Sequence, residues 1–235
     1  PPMASRSPNS ANGCKCLLIG NSRWHWATRT AEGWVFAHTN PDPLRLDGLE
    51  LVRWAAVGPV PVHPVLSQTT RLGLEDLPLK GMPPWLGVDR ALAAWAATTR
   101  AVPLPTQGGV LVADAGTVLS LTRVTSEGEF AGGQLAAGFG LQLRAMAAGT
   151  RDLPAPGSLH QLPSELFPHA TLAAMQQGAI QSLLGLLLEA QRSCSWPLWI
   201  CGGDAPLLID SLRQQGAEVI HAPDLVMEGM VTLVS

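Results

Sequence analysis

Apolar and polar positions alternate, run and break along this chain in a way that marks out its elements. The run Cys14 to Gly20, CKCLLIG, predicts a short buried strand ending at the turn Gly20-Asn21-Ser22. WHWATRT then alternates, Glu32-Gly33 is a turn, and WVFAHT is a third strand, so the first forty residues predict a meander of hairpins. RLDGLELVRW carries a weak helical pattern, and AAVGPV predicts a buried strand closed by Gly58-Pro59. Residues 59 to 86 are rich in Pro and Gly and predict irregular structure. VDRALAAWAATTR predicts a helix: its Ala and Leu favour that state, and Asp89 falls in the first turn, where the helix dipole favours an anion.

The second half repeats the theme. LVADAGTVLSLT predicts strand, turn and strand, and Glu127-Gly128 is the next turn. GGQLAAGFGLQLRAMAAGT predicts a glycine-rich loop entering a helix, and RDLPAPGSLHQLPSELFP a loop. ATLAAMQQGAIQSLLGLLLEAQRS predicts a long helix. PLWICGG, APLLIDSLRQQG and AEVIHAP predict a strand-helix-strand unit with parallel pairing. Aligning Gly20 with Gly116 also brings Glu32-Gly33 onto Glu127-Gly128 to within a residue or so, which points to an internal duplication. The expected boundary lies in the Pro-rich AVPLPTQGG, giving halves of 14–105 and 106–235. Residues 1–13, polar and rich in Pro and Ser, predict a disordered or expression-derived tail, with Met3 a candidate start.

Composition narrows the class. Of 235 residues 46% are hydrophobic, enough for a sizeable core. The net charge of −3, with no Lys/Arg stripe, argues against a nucleic-acid partner. The most apolar helical stretch, AIQSLLGLLLEA, is short and contains Gln181 and Glu189, which argues against a membrane partner. Cys14, Cys16, Cys194 and Cys201 form no CxxC pair, and the six histidines show no metal spacing, so a reduced, cytoplasmic setting fits.

Asp114 is the position that calls for chemistry. A carboxylate in an apolar strand costs several kcal/mol unless it is paired or hydrogen-bonded. A glycine-containing strand-turn-strand can cradle phosphate through backbone N–H groups and hydroxyls, and an adjacent acid can hold a cation. An Asx-turn explains the same residue without function. Asp89 with Arg90 suits a general base beside an anion-orienting cation, and equally a helix-capping aspartate. Gly202-Gly203 lets a flat ring or ribose lie against the backbone, or simply makes a tight turn.

Together these elements resemble the type III pantothenate kinases of the actin-like ATPase and sugar-kinase superfamily, over nearly the whole chain from Cys16. The segments that carry the resemblance are Leu18-Ile19-Gly20-Asn21-Ser22 with His25 near the usual basic position, Gly87-Val88-Asp89-Arg90, Asp114-Ala115-Gly116-Thr117, and Gly132-Gly133 through Gly138. Thr150 to Pro154, Ala170 to Gly178 and Gly202 to Leu208 follow in family order.

The resemblance implies an α/β fold: a duplicated ribonuclease-H-like (actin-like ATPase) fold whose two halves each hold a mixed β-sheet flanked by helices. It implies ATP-dependent phosphorylation of pantothenate, the first committed step towards coenzyme A, with ATP, Mg²⁺ and a monovalent cation (K⁺ or NH₄⁺) required. Asp89 is then the catalytic base, and Gly87, Asp89, Arg90 and Thr171 bind substrate, Thr171 from the neighbouring subunit of a homodimer. Gly20, Asn21, Ser22, Gly116, Thr117, Gly132, Gly133, Gly202 and Gly203 bind ATP and its phosphates, and Asp114 sits at the monovalent-cation site. Leu18 and Thr122 stand where the family pattern has acids. A catalytically weak relative with a regulatory or accessory role, and a kinase of another small hydroxy acid, are the alternatives.

Overall fold

A computed structural model describes residues 13–100, 108–157 and 162–234. In chain order the elements are β1 (Lys15–Ile19), β2 (Trp24–Thr30), β3 (Gly33–Thr39), β4 (Leu51–Ala56), α1 (Pro64–Gln68) and α2 (Val88–Arg100). There follow β5 (Gly109–Ala115), β6 (Val118–Thr125), β7 (Phe130–Ala137), α3 (Phe139–Gly149), α4 (Thr171–Cys194), β8 (Leu198–Cys201), α5 (Pro206–Gln214), β9 (Val219–His221) and α6 (Leu225–Thr232). The described residues gather into two compact units, one from 13–78, 82–96 and 224–234, the other from 79–81, 97–100, 108–157 and 162–223. The expected boundary falls largely within 101–107, outside the described residues, as does nearly all of the expected tail at 1–13.

The first unit is a mixed sheet of order β3-β2-β1-β4: β1 pairs antiparallel with β2 and parallel with β4. Its core includes Leu17, Ile19, Trp24, Trp26, Trp54 and Leu66, with Trp24 and Trp26 edge to face at 6.0 Å between centroids. Two readings of the sequence are corrected here. The weakly helical RLDGLELVRW holds only a 3₁₀ turn at Pro43–Leu46, and its last four residues open β4. Leu51, Trp54, Ala55 and Ala56 are buried there, and parallel pairing with β1 outweighs the weak local periodicity. AAVGPV gives the sheet only Ala55 and Ala56. Helix α6 drew no expectation from the sequence. It packs on β1 and β2, and Gly229 within it is held by close approach, since a Cβ there would overlap the Leu92 carbonyl.

The second unit has order β7-β6-β5-β8-β9, with β5 parallel to β8 and β8 parallel to β9. The strand-helix-strand expectation holds, and the first four positions of this order repeat the first unit's sheet. That shared topology is the structural form of the duplication. The glycine-rich stretch from Gly132 is strand rather than loop: Phe130 to Ala137 pair with β6, and the helix begins only at Phe139. Helix α4 buries Met175, Ala179, Ile180, Leu183, Leu184 and Leu187 against the sheet. Its length and composition would also suit a membrane span, but that face belongs to the core.

Candidate active site

In the first unit the turn Gly20-Asn21-Ser22-Arg23 closes the β1–β2 hairpin, with the Gly20 N–H donating to the Arg23 carbonyl at 3.0 Å. Asn21, Ser22 and Arg23 are exposed. The turn is held from below by Gly58, whose N–H donates to the Ile19 carbonyl at 3.1 Å. A Cβ on Gly58 would overlap the Gly20 carbonyl, so only glycine admits this approach. Leu18, where the resemblance calls for an acid, is buried and register-paired with His25.

The same unit holds Asp89 on the first turn of α2. Its Oδ1 accepts from the Arg90 N–H at 2.8 Å, taking up one of the donors that a helix start leaves unpaired. The carboxylate folds back on Gly87: a Cβ there would stand 2.5 Å from Asp89 Oδ1. Burial pushes the Asp89 carboxyl above its ordinary range, against the opposing pull of the Arg90 N–H and guanidinium. Desolvation outweighs those opposing contributions. Desolvation also lowers Arg90.

Gly87 and Val88 form one wall of an open cleft of about 570 Å³, whose other walls include Ala56, Val57, Arg71 and Glu75. The Arg71 guanidinium lies 5.1 Å above the Trp54 ring and donates to the Ala56 carbonyl at 3.3 Å. Arg71 was not found by sequence reasoning. It lies in a Pro/Gly-rich stretch without periodicity, and its backbone bridge to Trp54 brings it to the cleft.

In the second unit Gly116-Thr117 closes the β5–β6 hairpin. Asp114 at the end of β5 is half-buried and pairs in register with Ser120 and with Cys201. Two glycines crowd this turn. A Cβ on Gly138 would overlap the Gly116 carbonyl, and one on Gly202, where φ is +88°, would stand 2.5 Å from Asp114 Oδ1 and from the Ala115 carbonyl. The Asp204 N–H donates to that same Ala115 carbonyl at 2.8 Å. Gly203 is open, with nothing within 4 Å of a Cβ position.

Gly132 and Gly133 lie elsewhere. Gly133 pairs with Thr122 on β6, four residues from Val118, which is about 13 Å along a strand. Gly138 is the glycine that packs against the Gly116-Thr117 turn. Thr122 is buried. Thr171 begins α4 and is exposed.

The donor set bears on the metal. Among the described residues no three His, Cys, Asp or Glu side chains converge on a metal position. Asp114 is the carboxylate beside a turn, and Leu18 is apolar. Such a set suits a cation held largely by phosphate oxygens and water, not one caged by protein.

A family model for type III pantothenate kinase matches residues 53–192. A type III pantothenate kinase of Thermosynechococcus vestitus is 37% identical over 221 residues, 88% of this chain and 83% of the relative. The chain belongs to the type III pantothenate kinase family. The enzyme of that name from Synechococcus sp. strain JA-3-3Ab is 35% identical over 91% of this chain and 88% of its own length. Among solved structures, a conserved Baf-family protein from Campylobacter jejuni superposes with a TM-score of 0.62 at 17% identity, over 94% of this chain and 96% of that one. A protein described as a 2-dehydro-3-deoxygalactonokinase, from Sinorhizobium meliloti, gives 0.57 at 13% identity, over 94% and 95%. These likenesses concern the fold, and with the repeated sheet order they identify the actin-like ATPase and sugar-kinase architecture. Family membership makes this chain a kinase.

Proposed function

We propose that the protein transfers the γ-phosphoryl group of ATP to the primary hydroxyl of pantothenate, giving 4′-phosphopantothenate and ADP in the first step of coenzyme A biosynthesis. The observation that carries this reading is the Asp89 carboxylate, folded against Gly87 at the wall of a cleft that also presents Arg71. Asp89 takes the hydroxyl proton as the new O–P bond forms and the bond from the γ-phosphorus to the ADP oxygen breaks. Burial raises the proton affinity of this carboxyl towards what a base needs near neutral pH. Arg90 and Arg71 face the anionic end of the substrate. The Gly20-Asn21-Ser22 and Gly116-Thr117 turns, with Gly202-Gly203, offer backbone N–H groups and hydroxyls to the phosphates. A Mg²⁺ ion bound with ATP, held largely by phosphate oxygens and water, would supply charge neutralisation on the transferring group. Asp114 holds a monovalent cation, K⁺ or NH₄⁺. Gly132 and Gly133 on β7 complete the ATP-binding set in this reading, and Gly138 packs against the second turn.

The active form in this reading is a homodimer in the cytoplasm. Helix α4 supports the dimer through Ala174, Gly178 and Gly185, which lie exposed on its outer face with open space over both glycines. Small residues at helical spacing allow a second helix to approach closely, and Thr171, on the same helix, then reaches the neighbour's substrate.

Coupled measurement of ADP release with and without pantothenate tests the proposal, with a panel of other small hydroxy acids beside it. Release that depends on pantothenate supports it. Turnover of another acid in preference, or no turnover by folded protein, overturns it.

A further inference from the structure

Three side chains of the first unit stand in series above the β1–β2 turn. His25 on β2 and His38 on β3 are register partners, with their Nδ1 atoms 2.8 Å apart. His38 Nε2 lies 3.0 Å from Asp224 Oδ1. Asp224 immediately precedes α6, yet its side chain does not cap that helix. At the other end, His25 Nε2 faces the turn: a Cβ on Gly20 would stand 3.3 Å from it.

Counting hydrogens decides what this series can do. An ionised carboxylate only accepts, so His38 Nε2 carries a hydrogen towards Asp224. The Nδ1–Nδ1 contact holds one more. An uncharged pair of imidazoles has two ring N–H hydrogens in all, so both are spent, and His25 Nε2 faces the turn as a bare lone pair. A phosphate oxygen cannot accept from a lone pair. Giving His25 Nε2 a hydrogen requires a third proton on the pair.

We propose that His25 Nε2 contacts the nucleotide's phosphates at the Gly20-Asn21-Ser22 turn, and that ATP engages it by taking up one proton onto the His25–His38 pair, with Asp224 offsetting the charge. This rests on the reading of that turn as a phosphate site. His25 is the binding residue, and His38 and Asp224 are positioning residues.

The charged and titratable groups around His25 are Arg23 in the turn, His38 on β3 and Asp224 before α6; from β1 it meets Leu18, which carries no charge. Burial pushes His25 down to about 4, helped by His38 and Arg23 and opposed by Asp224. A third proton on the pair leaves His25 Nε2 with a hydrogen to donate, and the Asp224 carboxylate 3.0 Å from His38 Nε2 offsets the added charge. By linkage, a ligand that prefers the protonated pair binds more tightly as pH falls. The pair thus adds, on demand, a second cation to the one Arg23 already supplies at the turn.

Calorimetry of MgATP binding to the full chain, in buffers of low and high ionisation enthalpy between about pH 6 and about pH 8.5, measures the proton directly. The expected result is uptake of up to about one proton per ATP, with affinity falling as pH rises. His25→Gln keeps an amide donor at the turn, so its binding should show neither the extra uptake nor the pH slope. Asp224→Asn should show reduced uptake, and it carries the comparison if His25→Gln does not melt cooperatively. ATP binding with the same proton stoichiometry in wild type and variants overturns the relay and leaves the kinase reading intact. Absence of ATP binding to folded wild-type protein overturns both.

Discussion

Gly202 and Asp114 fit together only because one of them has no side chain: the position a Cβ would take at Gly202 is 2.5 Å from Asp114 Oδ1. The backbone at Gly202 is also left-handed, with φ +88°. Gly202→Ala should therefore push the Asp114 carboxylate off its position as well as straining the turn. We expect a loss of about 1–3 kcal/mol in stability and at least about tenfold in kcat. Gly203→Ala meets open space and should fold normally, so a rise in the KM for ATP in that variant reports contact with the nucleotide alone. Thermal melts and steady-state kinetics of the two variants, side by side, separate the roles.

Asp89→Asn removes the proposed base and keeps the shape. kcat should fall by roughly 10²–10⁴-fold. Stability should move the other way. The folded protein binds the Asp89 proton more tightly than the unfolded chain does, so this carboxyl destabilises the fold progressively as pH rises from its unfolded pKa to its raised folded one. The penalty is complete above that value, and an amide escapes it. Asp89→Asn should therefore melt at a higher temperature than wild type at neutral pH, with the difference shrinking in acid. The acid limb of the wild-type kcat/KM profile should lie above the usual carboxylate range and vanish from the variant's residual activity. A variant that melts lower and turns over normally would make Asp89 a structural residue.

Asp114 at a cation site predicts activation by potassium. Titrating K⁺ into a sodium-buffered assay should raise the rate several-fold, and NH₄⁺ should substitute. A flat response would leave Asp114 with its turn-forming role.

Gly185→Leu tests the homodimer. Nothing lies within 4 Å of a Cβ at Gly185, so a single chain accommodates the change, and helix propensity gains up to about 1 kcal/mol. If α4 meets its twin there, sedimentation should shift towards monomer and activity should fall while the far-UV spectrum stays unchanged. Wild-type protein that sediments as a monomer at micromolar concentration would remove the dimer from the proposal.

The parts of this molecule legible in the sequence are those whose cause is local. The two hairpins show because strand periodicity breaks at Gly20-Asn21-Ser22 and Gly116-Thr117, and the glycine turns repeat at matching spacing. Asp89, at the start of a strongly helical run, shows for the same reason. What was missed is set at a distance. Arg71 reaches the cleft by bridging to Trp54, and Asp224 meets His38 from the far end of the sequence. Gly132 and Gly133 look like loop residues, yet pairing with β6 holds them in a strand. Leu51 to Trp54 lose their faint helical pattern to parallel pairing with β1. α6 carries a glycine that marks no break, because Gly229 is there to let the helix lie on the Leu92 carbonyl.

That last helix has a consequence for how the protein is made. The first unit takes its strands from the beginning of the chain but Asp224 and α6 from residues 224–232, whereas nearly all of the second unit is one uninterrupted stretch from 97 to 223. On the ribosome, the second unit has its strands and helices available while the first still lacks the helix that covers β1 and β2. At about 5–20 residues per second, the nascent chain carries that incomplete sheet for roughly 10 to 35 s after β4 has emerged. The half synthesised first is thus the half finished last, and a chain that ends before residue 224 lacks both the helix that packs on β1 and β2 and the carboxylate that meets His38.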